Sequence, residues 1–226
     1  MSTASSRMPI LRQLLAEMQQ ISPNERALIA IDGVDGVGKT HVSQELARLA
    51  VSLGGRPIAR VSIDGFHLPK ADRLKAGLGP QGFFRGSYRY DTFRECVVEP
   101  VRAGDPMTPG VWDVALDEPV AASKVLVPSN GIVLVDGIFL QRSELADVWD
   151  AVVWVEAPFS ITVPRGNARF PGRHDADPDA PSNHRYVGGQ RLYIAEADPR
   201  ESATWVLDNS DLEHPILHGP LEDKPV

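Results

Sequence analysis

Short apolar segments alternate with amphipathic ones along the chain, a pattern that predicts strands separated by helices. The segments typical of buried strands are residues 27–31, 57–63, 131–135, 151–155 and 204–208. Residues 124–127 are predicted to form a further strand that pairs, at a sheet edge, with an extended segment around residues 111–114. Because strands that alternate with helices build parallel sheets, the pattern predicts an α/β fold with ligand sites at the carboxyl ends of the strands.

Helical periodicity connects these strands. Apolar residues from Ile10 to Met18 predict an amphipathic helix that packs outside the first strand, behind a Ser/Thr-rich tail that we expect to be disordered. The tail is residues 1–8. Apolar residues from Val42 to Leu53 predict a second helix, and the glycines that follow it end it. Further helices are predicted over residues 91–103, 159–173 and 188–197, and loops over residues 65–88 and 175–183. Pro164 interrupts the helix 159–173 and Gly166 weakens it, whereas the loop 65–88 is long enough to suggest a function.

The composition narrows the classes of protein. A length of 226 residues favours one domain over the whole chain, residues 1–226, and a net charge of −7 argues against binding to nucleic acid or to a membrane surface. The single cysteine, Cys96, excludes an internal disulfide and is typical of a reducing compartment. No apolar segment at the N-terminus has the length that a signal peptide or membrane span requires. We therefore expect a cytoplasmic protein with a small-molecule partner, and a homodimer stays open.

One motif identifies a ligand. Residues 33–40, GVDGVGKT, fit the P-loop pattern G-x-x-x-x-G-K-[ST] without a departure, and they lie between a predicted strand and a predicted helix. In this motif the backbone N–H groups surround phosphate oxygens, the lysine reaches the β- and γ-phosphates, and the hydroxyl binds Mg²⁺. The residues predicted to bind the nucleotide are Gly33, Asp35, Gly36, Val37, Gly38, Lys39, Thr40 and His41, and Thr40 is also a predicted magnesium ligand.

Two carboxylates are predicted to face the same phosphates. Asp64 follows the strand 57–63, and Asp136 follows the strand 131–135. Because the carboxyl ends of parallel strands share one edge of a sheet, both side chains are expected beside the P-loop. One carboxylate can order the metal, and the other can accept a proton from an attacking hydroxyl group. Each aspartate precedes a glycine, however, so each is also a candidate for the cap of a turn.

A group of arginines follows the strand 151–155. Arg165 and Arg169 are one helical turn apart and share a face of the predicted helix, and Arg173 follows them. Arginines of this kind neutralise the charge that develops on a phosphoryl group during transfer. We therefore predict catalytic roles for Arg165 and Arg169, and nucleotide binding by Arg169 and Arg173. The alternative is a solvated surface helix. Ligand contact by Arg173, Arg185 and Arg191 stays open.

Four segments in this order resemble the uridine kinase-like P-loop kinases, a group related to phosphoribulokinase and type I pantothenate kinase. The segments are the P-loop, SIDGFHLP (62–69), VLVDGIFL (133–140) and VEAPFSITVPRGNAR (155–169). The resemblance implies a three-layer P-loop NTPase fold, with a mainly parallel sheet, helices on both faces and a small mobile lid over about residues 164–185. It also implies an ATP-dependent kinase that uses Mg²⁺ and transfers a phosphoryl group to an alcohol.

The resemblance assigns roles to individual residues. Asp64 matches the carboxylate that acts as the base toward the substrate hydroxyl group. Asp136 stands where the family usually has a glutamate near the metal, so it is a predicted magnesium ligand. Arg165 and Arg169 match the lid arginines that contact the phosphates, and Lys39 is the catalytic lysine of the P-loop.

The acceptor half departs from the family pattern. Where uridine kinases carry a Phe-Asp-His-Pro stretch that binds the ribose, this chain has SYRYD (87–91). The predicted acceptor is a nucleoside or a related ribosyl compound, with pantothenate, a sugar or a sugar phosphate as alternatives. The residues predicted to bind it are Asp64, Phe66, His67, Tyr88, Arg89, Tyr90 and Asp136. Arg89 favours an anionic acceptor, although core or loop packing is an equal alternative for His67 and the aromatic residues.

Two other classes of function are less compatible with the sequence. A GTP-dependent switch carries the guanine-reading signature N-K-x-D, and no asparagine in this chain is followed by lysine. A nucleotide-sensing module without catalysis would not need to retain Lys39, Thr40, Asp64 and Asp136. The sequence therefore favours a kinase over both.

Overall fold

A six-stranded sheet forms the centre of the molecule. The structure is a computed structural model, and it describes residues 6–220. The described residues form eight strands, six in this sheet and two, β3 and β4, in a separate two-stranded sheet. They are β1 (Ala27–Gly33), β2 (Ile58–Ser62), β3 (Trp112–Asp113), β4 (Glu118–Pro119), β5 (Ile132–Gly137), β6 (Ala151–Glu156), β7 (Trp205–Asp208) and β8 (Ile216–His218). In the large sheet they lie in the order β2-β5-β1-β6-β7-β8, and only the pair β7–β8 is antiparallel. The predicted α/β class with a mainly parallel sheet is confirmed.

The register of the sheet brings the functional ends of three strands together. All seven residues of β1 are buried between β5 and β6. Ile31 of β1 and Ser62 of β2 lie on opposite sides of Asp136 in β5. The end of β2, the end of β5 and the start of the P-loop therefore share one edge, as the strand pattern predicted.

Nine α-helices occur in the described part of the chain. They are α1 (Arg7–Met18), α2 (Lys39–Ser52), α3 (Lys70–Lys75), α4 (Pro80–Arg85), α5 (Tyr90–Phe93), α6 (Glu99–Ala103), α7 (Phe159–Asn167), α8 (His184–Ala197) and α9 (Pro199–Ser202). A π-helical turn, Arg94–Val98, joins α5 to α6, so the predicted helix 91–103 is present in three parts. Pro100 has no N–H for the carbonyl of Cys96, and the N–H of Thr108 donates to that carbonyl instead.

The N-terminal helix is confirmed, but it starts earlier than predicted. It buries Leu11, Leu14, Leu15 and Met18 and packs against α2. The predicted disordered tail is wrong at Arg7 and Met8, which belong to α1, and residues 1–5 lie outside the described residues.

Three further predictions need correction. The segment 65–88 contains α3 and α4 rather than a plain loop, and Pro80 starts α4 at a position where a helix needs no N–H donor. The helix predicted to reach residue 173 ends at Asn167, since Pro171 disfavours helical geometry at Phe170. Helix α8 begins at His184, four residues before the predicted start.

The small strands also differ from the prediction. Residues 124–127 are not a strand, and only Val125 forms an isolated bridge, with Met107. The extended segment pairs instead with Glu118–Pro119, across a turn in which Asp113 accepts hydrogen bonds from the N–H groups of Ala115 and Leu116. This local turn supplies the partner strand that was expected from residues 124–127. Strand β8 was not predicted.

None of the helices between residues 6 and 220 combines the length and the apolar character that crossing a membrane requires.

Candidate nucleotide and acceptor site

The P-loop lies between β1 and α2 and packs against α7. Gly36 and Gly38 have φ angles of +76° and +102°, which favour glycine. A Cβ atom on Gly36 would lie 2.8 Å from the backbone nitrogen of Gly166, and closer still to the carbonyl oxygen of Thr162. Gly36 therefore permits the close approach between the loop and α7, whereas a Cβ atom on Gly166 would lie at an ordinary contact distance of 3.7 Å from the Cα atom of Gly36.

Lys39 lies across the loop. Its side chain is buried, and its ammonium group donates to the carbonyl of Val34 over 2.8 Å. Burial lowers the pKa of Lys39, while the carboxylates of Asp35 and Asp32 oppose that shift. Its Nζ atom is held at the loop itself, where a polyphosphate would bind.

Thr40 and Asp136 form a pair of hard oxygen ligands beside the loop. The Thr40 hydroxyl donates to Oδ2 of Asp136 over 2.8 Å, and Arg60 pairs with Oδ1 over 3.3 Å. Asp136 is buried, so its position is fixed by these contacts and by the register of β5. A hydroxyl group and one carboxylate, supplemented by phosphate oxygens and water, are a donor set that Mg²⁺ takes in nucleotide sites. The residues present therefore fit the ion.

Asp64 stands at the end of β2 with two donors. Oδ1 of Asp64 accepts from the Tyr88 hydroxyl over 3.0 Å and lies 3.3 Å from Nε2 of His67. Partial burial acts to raise the pKa of Asp64, but the hydrogen bond and charge of His67 and the bond from Tyr88 outweigh it, so the pKa is lowered. Asp64 is therefore a carboxylate at neutral pH.

His67 is bound at both ring nitrogens. Its Nδ1 lies 3.0 Å from the carbonyl oxygen of Ser87, and its Nε2 faces Asp64. Each ring nitrogen therefore faces an oxygen atom that can accept a hydrogen bond. The ring also stacks on Tyr88 with centroids 4.4 Å apart. His67 thus holds Asp64 in place.

Two cavities meet at this carboxylate. The first, of about 660 Å³, is lined by the P-loop and by Arg165. The second, of about 350 Å³, is lined by His67 and Tyr88 together with residues of α7 and α8. The residues that line both cavities are Asp35, Asp64 and Arg169. A group bound in the first cavity can therefore reach a group in the second at Asp64 and Arg169.

The three predicted arginines occupy different places. Arg165 lines the first cavity and donates to the carbonyls of Asn209 and Ser210 over 3.0 and 2.6 Å. Arg169 lies beyond the end of α7, so the two do not share a helix face, yet both line the first cavity. Arg173 lines the second cavity.

Several predicted acceptor residues point elsewhere. Phe66 is fully buried and packs edge-on against Phe93. Arg89 lies over Trp112, and Tyr90 is buried under the guanidinium of Arg142. Among the described residues these three predicted ones line neither cavity. Their predicted ligand contacts stay predictions.

The remaining predicted residues are placed as follows. His41 lines the first cavity, and Val37 is buried with its carbonyl accepting from Asn209. Arg185 donates to the carbonyl of Gly77 over 2.6 Å, and Arg191 pairs with Asp179 over 2.8 Å, outside the lining of both cavities.

Sequence reasoning missed a cluster around Arg7. The Arg7 guanidinium binds both carboxylate oxygens of Glu45, Oδ1 of Asn209 and the carbonyl of Leu212, at 2.6 to 3.1 Å. The N–H groups of Ser6, just before α1, and of Arg7, its first residue, both donate to the carbonyl of Glu213. Helix α1 thus fixes the segment after β7, which lines the first cavity beyond the P-loop. No local pattern marks Arg7, because the side-chain partners named here are distant from it in sequence.

Helix α8 supports the P-loop from the other side. The N–H of Asp35 donates to Oε1 of Gln190 over 2.6 Å. The Tyr193 hydroxyl donates to Asp32, which also accepts from the N–H of Gly33 over 2.8 Å and from Gln141 over 3.1 Å. Burial raises the pKa of Asp32 against these bonds. The conformation of the loop therefore depends on side chains far along the chain.

Comparisons with known proteins agree with this fold. No protein-family model matches the sequence, and no curated protein matches it significantly. Among solved structures, the chain is similar to a possible uridine kinase from Bacillus stearothermophilus, with a TM-score of 0.69 and 18% identity over 87% of this chain and 96% of that one. It is similar to a candidate fructose transport system kinase from Silicibacter sp. TM1040, with a TM-score of 0.68 and 21% identity over 82% and 94%. A D-glycerate 3-kinase from Cryptococcus neoformans gives a TM-score of 0.53 and 12% identity over 86% and 88%.

These likenesses define a class: the chain has the fold of the P-loop kinases. The resemblance to the uridine kinase-like group, first carried by four sequence segments, is thereby confirmed at the level of the fold. The three similar structures are named for three different acceptors, so the shared fold does not determine which acceptor a protein uses.

Proposed function

We propose that the protein is an ATP-dependent kinase that transfers the γ-phosphoryl group to a hydroxyl group of a small metabolite. The observation that carries the proposal is the junction of two cavities at Asp64 and Arg169, with the P-loop in the first. A nucleotide held by the loop would place its terminal phosphate at that junction. The similar solved structures named as kinases support the same class of reaction.

The donor side stabilises negative charge. The backbone N–H groups of the P-loop and the ammonium group of Lys39 bind the phosphates, and Arg169 meets the charge that develops at the junction. Thr40 and Asp136 hold Mg²⁺, which when bound neutralises charge on the β- and γ-phosphates.

Asp64 serves the acceptor hydroxyl. The carboxylate accepts a hydrogen bond from the hydroxyl and aims its oxygen at the γ-phosphorus atom. An oxygen–phosphorus bond forms, the bond from the γ-phosphorus to the bridging oxygen breaks, ADP leaves, and the hydroxyl proton passes to Asp64. His67 and Tyr88 hold that carboxylate in place by donating to Oδ1.

The acceptor stays within the predicted set. A nucleoside or related ribosyl compound is the first candidate, and pantothenate, a sugar or a sugar phosphate are the alternatives. All of them carry a hydroxyl group, and the cavity of about 350 Å³ suits a small molecule. The net charge of −7 supports a small-molecule partner over nucleic acid.

The Asp64→Asn variant tests the proposal. A panel of nucleosides, pentoses, sugar phosphates, pantothenate and glycerate is first screened with ATP and Mg²⁺, with ADP release as the readout. Asp64→Asn is expected to lower kcat by about 10²- to 10⁴-fold, because the general base is lost, while the Kd for ATP changes less than about twofold. Asp72→Asn, an exposed carboxylate paired with Lys75, is the matched control.

One result would contradict the role of Asp64, and another would contradict the kinase function. Turnover that survives in Asp64→Asn removes Asp64 as the base. ADP release that stays at background across the whole panel, in a protein that binds ATP, favours the nucleotide-sensing module instead.

A further inference from the structure

The walls of the second cavity carry an uneven charge. The side chains that line this cavity and not the first include Arg73 and Arg173, together with His67 and His174. No aspartate or glutamate is among the described residues that line it alone. Among the described residues of its full lining, the arginines Arg73, Arg169 and Arg173 outnumber the two aspartates that the cavities share, whereas in the chain acidic residues outnumber basic ones by 30 to 23. Such a wall favours an anion.

Arg73 comes from the acceptor side of the molecule. It lies on α3, in the segment between β2 and α4, and its side chain is 24% exposed. Its Nε is buried without a hydrogen-bond partner among the described residues, and its Nη2 forms an ion pair with Asp117 at 3.7 Å. Charge-assisted hydrogen bonds are about 2.7 to 2.9 Å long, so this contact leaves the binding capacity of the guanidinium unused.

Arg173 and His174 form another part of the wall, in the segment after α7. Within residues 6–220 the Arg173 side chain makes no hydrogen bond or ion pair. His174 uses Nδ1 toward the carbonyl of Ser182 at 2.9 Å, and its ring packs against Tyr186. His67 is already committed to Asp64 and Ser87. Arg73 and Arg173 are therefore the cations available to a ligand.

The phosphates of the nucleotide do not account for these two arginines. The first cavity has its own positive groups, namely Lys39, Arg165 and Arg169 beside the P-loop amides. Arg73 and Arg173 line only the second cavity. Their partner is expected to be a part of the acceptor.

We propose that the acceptor carries an anionic group, a carboxylate or a phosphate, that binds Arg73 and Arg173 while its reacting hydroxyl lies at Asp64. This subsite rests on the proposed kinase function and narrows the acceptor to hydroxy acids and phosphorylated sugars or nucleosides. Arg89, which the sequence suggested for an anion, packs over Trp112 instead. A guanidinium presents paired N–H donors that match either anionic group.

The first experiment does not depend on knowing the acceptor. A non-hydrolysable ATP analogue with Mg²⁺ saturates the P-loop, and sulfate is then titrated as the probe by calorimetry. Wild-type protein is expected to bind sulfate, and Arg73→Gln to weaken that binding by about 10- to 100-fold, as expected for a lost hydrogen bond to a charged group. Lys75→Gln, on the same helix, exposed and paired with Asp72, removes the same charge and is expected to bind as the wild type does. Absence of sulfate binding in the wild type, or equal loss in both variants, overturns the subsite.

The second experiment tells whether the subsite binds a carboxylate or a phosphate, and it tests the subsite separately from the proposed kinase function. Matched pairs are compared for binding in the presence of the analogue and for turnover with ATP: glycerate and glycerol, pantothenate and panthenol, ribose 5-phosphate and ribose, uridine monophosphate and uridine. Tighter binding of an anionic member, lost in Arg73→Gln and kept in Lys75→Gln, supports the subsite, and the pair concerned tells which group it takes. Neutral members that bind as tightly as their anionic partners overturn it. If anionic members bind but none is phosphorylated, the result supports the subsite and contradicts the kinase function.

Discussion

Replacing Gly36 by alanine tests the contact between the P-loop and α7. The φ angle of +76° costs an alanine about 1 to 2 kcal/mol. The added Cβ would lie 2.8 Å from the nitrogen of Gly166 and closer to the carbonyl oxygen of Thr162, whereas real Cβ contacts stay above 3.0 Å. Both neighbours are backbone atoms of a helix, so α7 itself must move, and overpacking of this kind costs about 1 to 3 kcal/mol more. We expect the free energy of unfolding to fall by about 2 to 5 kcal/mol.

Gly54→Ala is the matched control for that variant. Gly54 has a φ of +66°, and nothing lies within 4 Å of the point that an added Cβ atom would occupy. It therefore carries the conformational cost of about 1 to 2 kcal/mol alone. The difference between the two variants, measured by urea unfolding with tryptophan fluorescence, isolates the contact with α7. Since α7 carries Arg165, Gly36→Ala is also expected to raise the KM for ATP. If Gly36→Ala is no less stable than Gly54→Ala, the close packing of α7 on the loop is refuted.

Two further predictions concern groups beside the reacting centre. His67→Phe keeps a ring against Tyr88 but removes the donor and the charge that lower the pKa of Asp64. The acid limb of the kcat/KM profile should therefore move to higher pH, and an unchanged profile would show that His67 does not act on Asp64. In the wild type the same interaction stabilises the fold above the usual aspartate pKa of 3.8 and is lost as the pH falls through the lowered value. Arg7→Gln removes the bonds to Glu45, Asn209 and Leu212. It is expected to raise the KM for ATP by about 3- to 10-fold, at a stability cost of about 1 to 3 kcal/mol, while Arg12→Gln on the same helix changes neither. A KM for ATP equal to that of the wild type would mean that the segment after β7 does not contact the nucleotide.

The donor side could be predicted from the sequence because that side is built from local patterns. An apolar strand, a glycine-rich loop and an amphipathic helix follow one another in the chain, so the place of Lys39 and Thr40 could be derived from residues 27–53 alone. The pairing of Thr40 with Asp136 needed one further step, the rule that parallel strands end at a common edge.

The parts that could not be predicted depend on long-range contacts or on competing local turns. Arg7 and Gln190 reach the site from opposite ends of the chain, and neither lies in a motif. The end of α7 depends on Pro171, whose effect on Phe170 overrides the helical periodicity before it. Residues 124–127 have the apolar pattern of a strand, but the turn around Asp113 places the nearer segment Glu118–Pro119 beside β3 instead.

The donor side and the acceptor side of the site are held in position by different parts of the fold, and α8 contacts both. Asp64, Asp136 and the P-loop stand at strand ends, so the register of the sheet fixes their positions. The acceptor wall comes from short helices and turns that the sheet does not order, and Tyr186 of α8 packs against Phe83 in that wall with centroids 5.0 Å apart. The same helix accepts the N–H of Asp35 through Gln190. A change in the acceptor wall that displaces α8 therefore displaces the P-loop as well. Acceptor specificity can change without loss of the donor site only where substitutions leave the Gln190 contact in place.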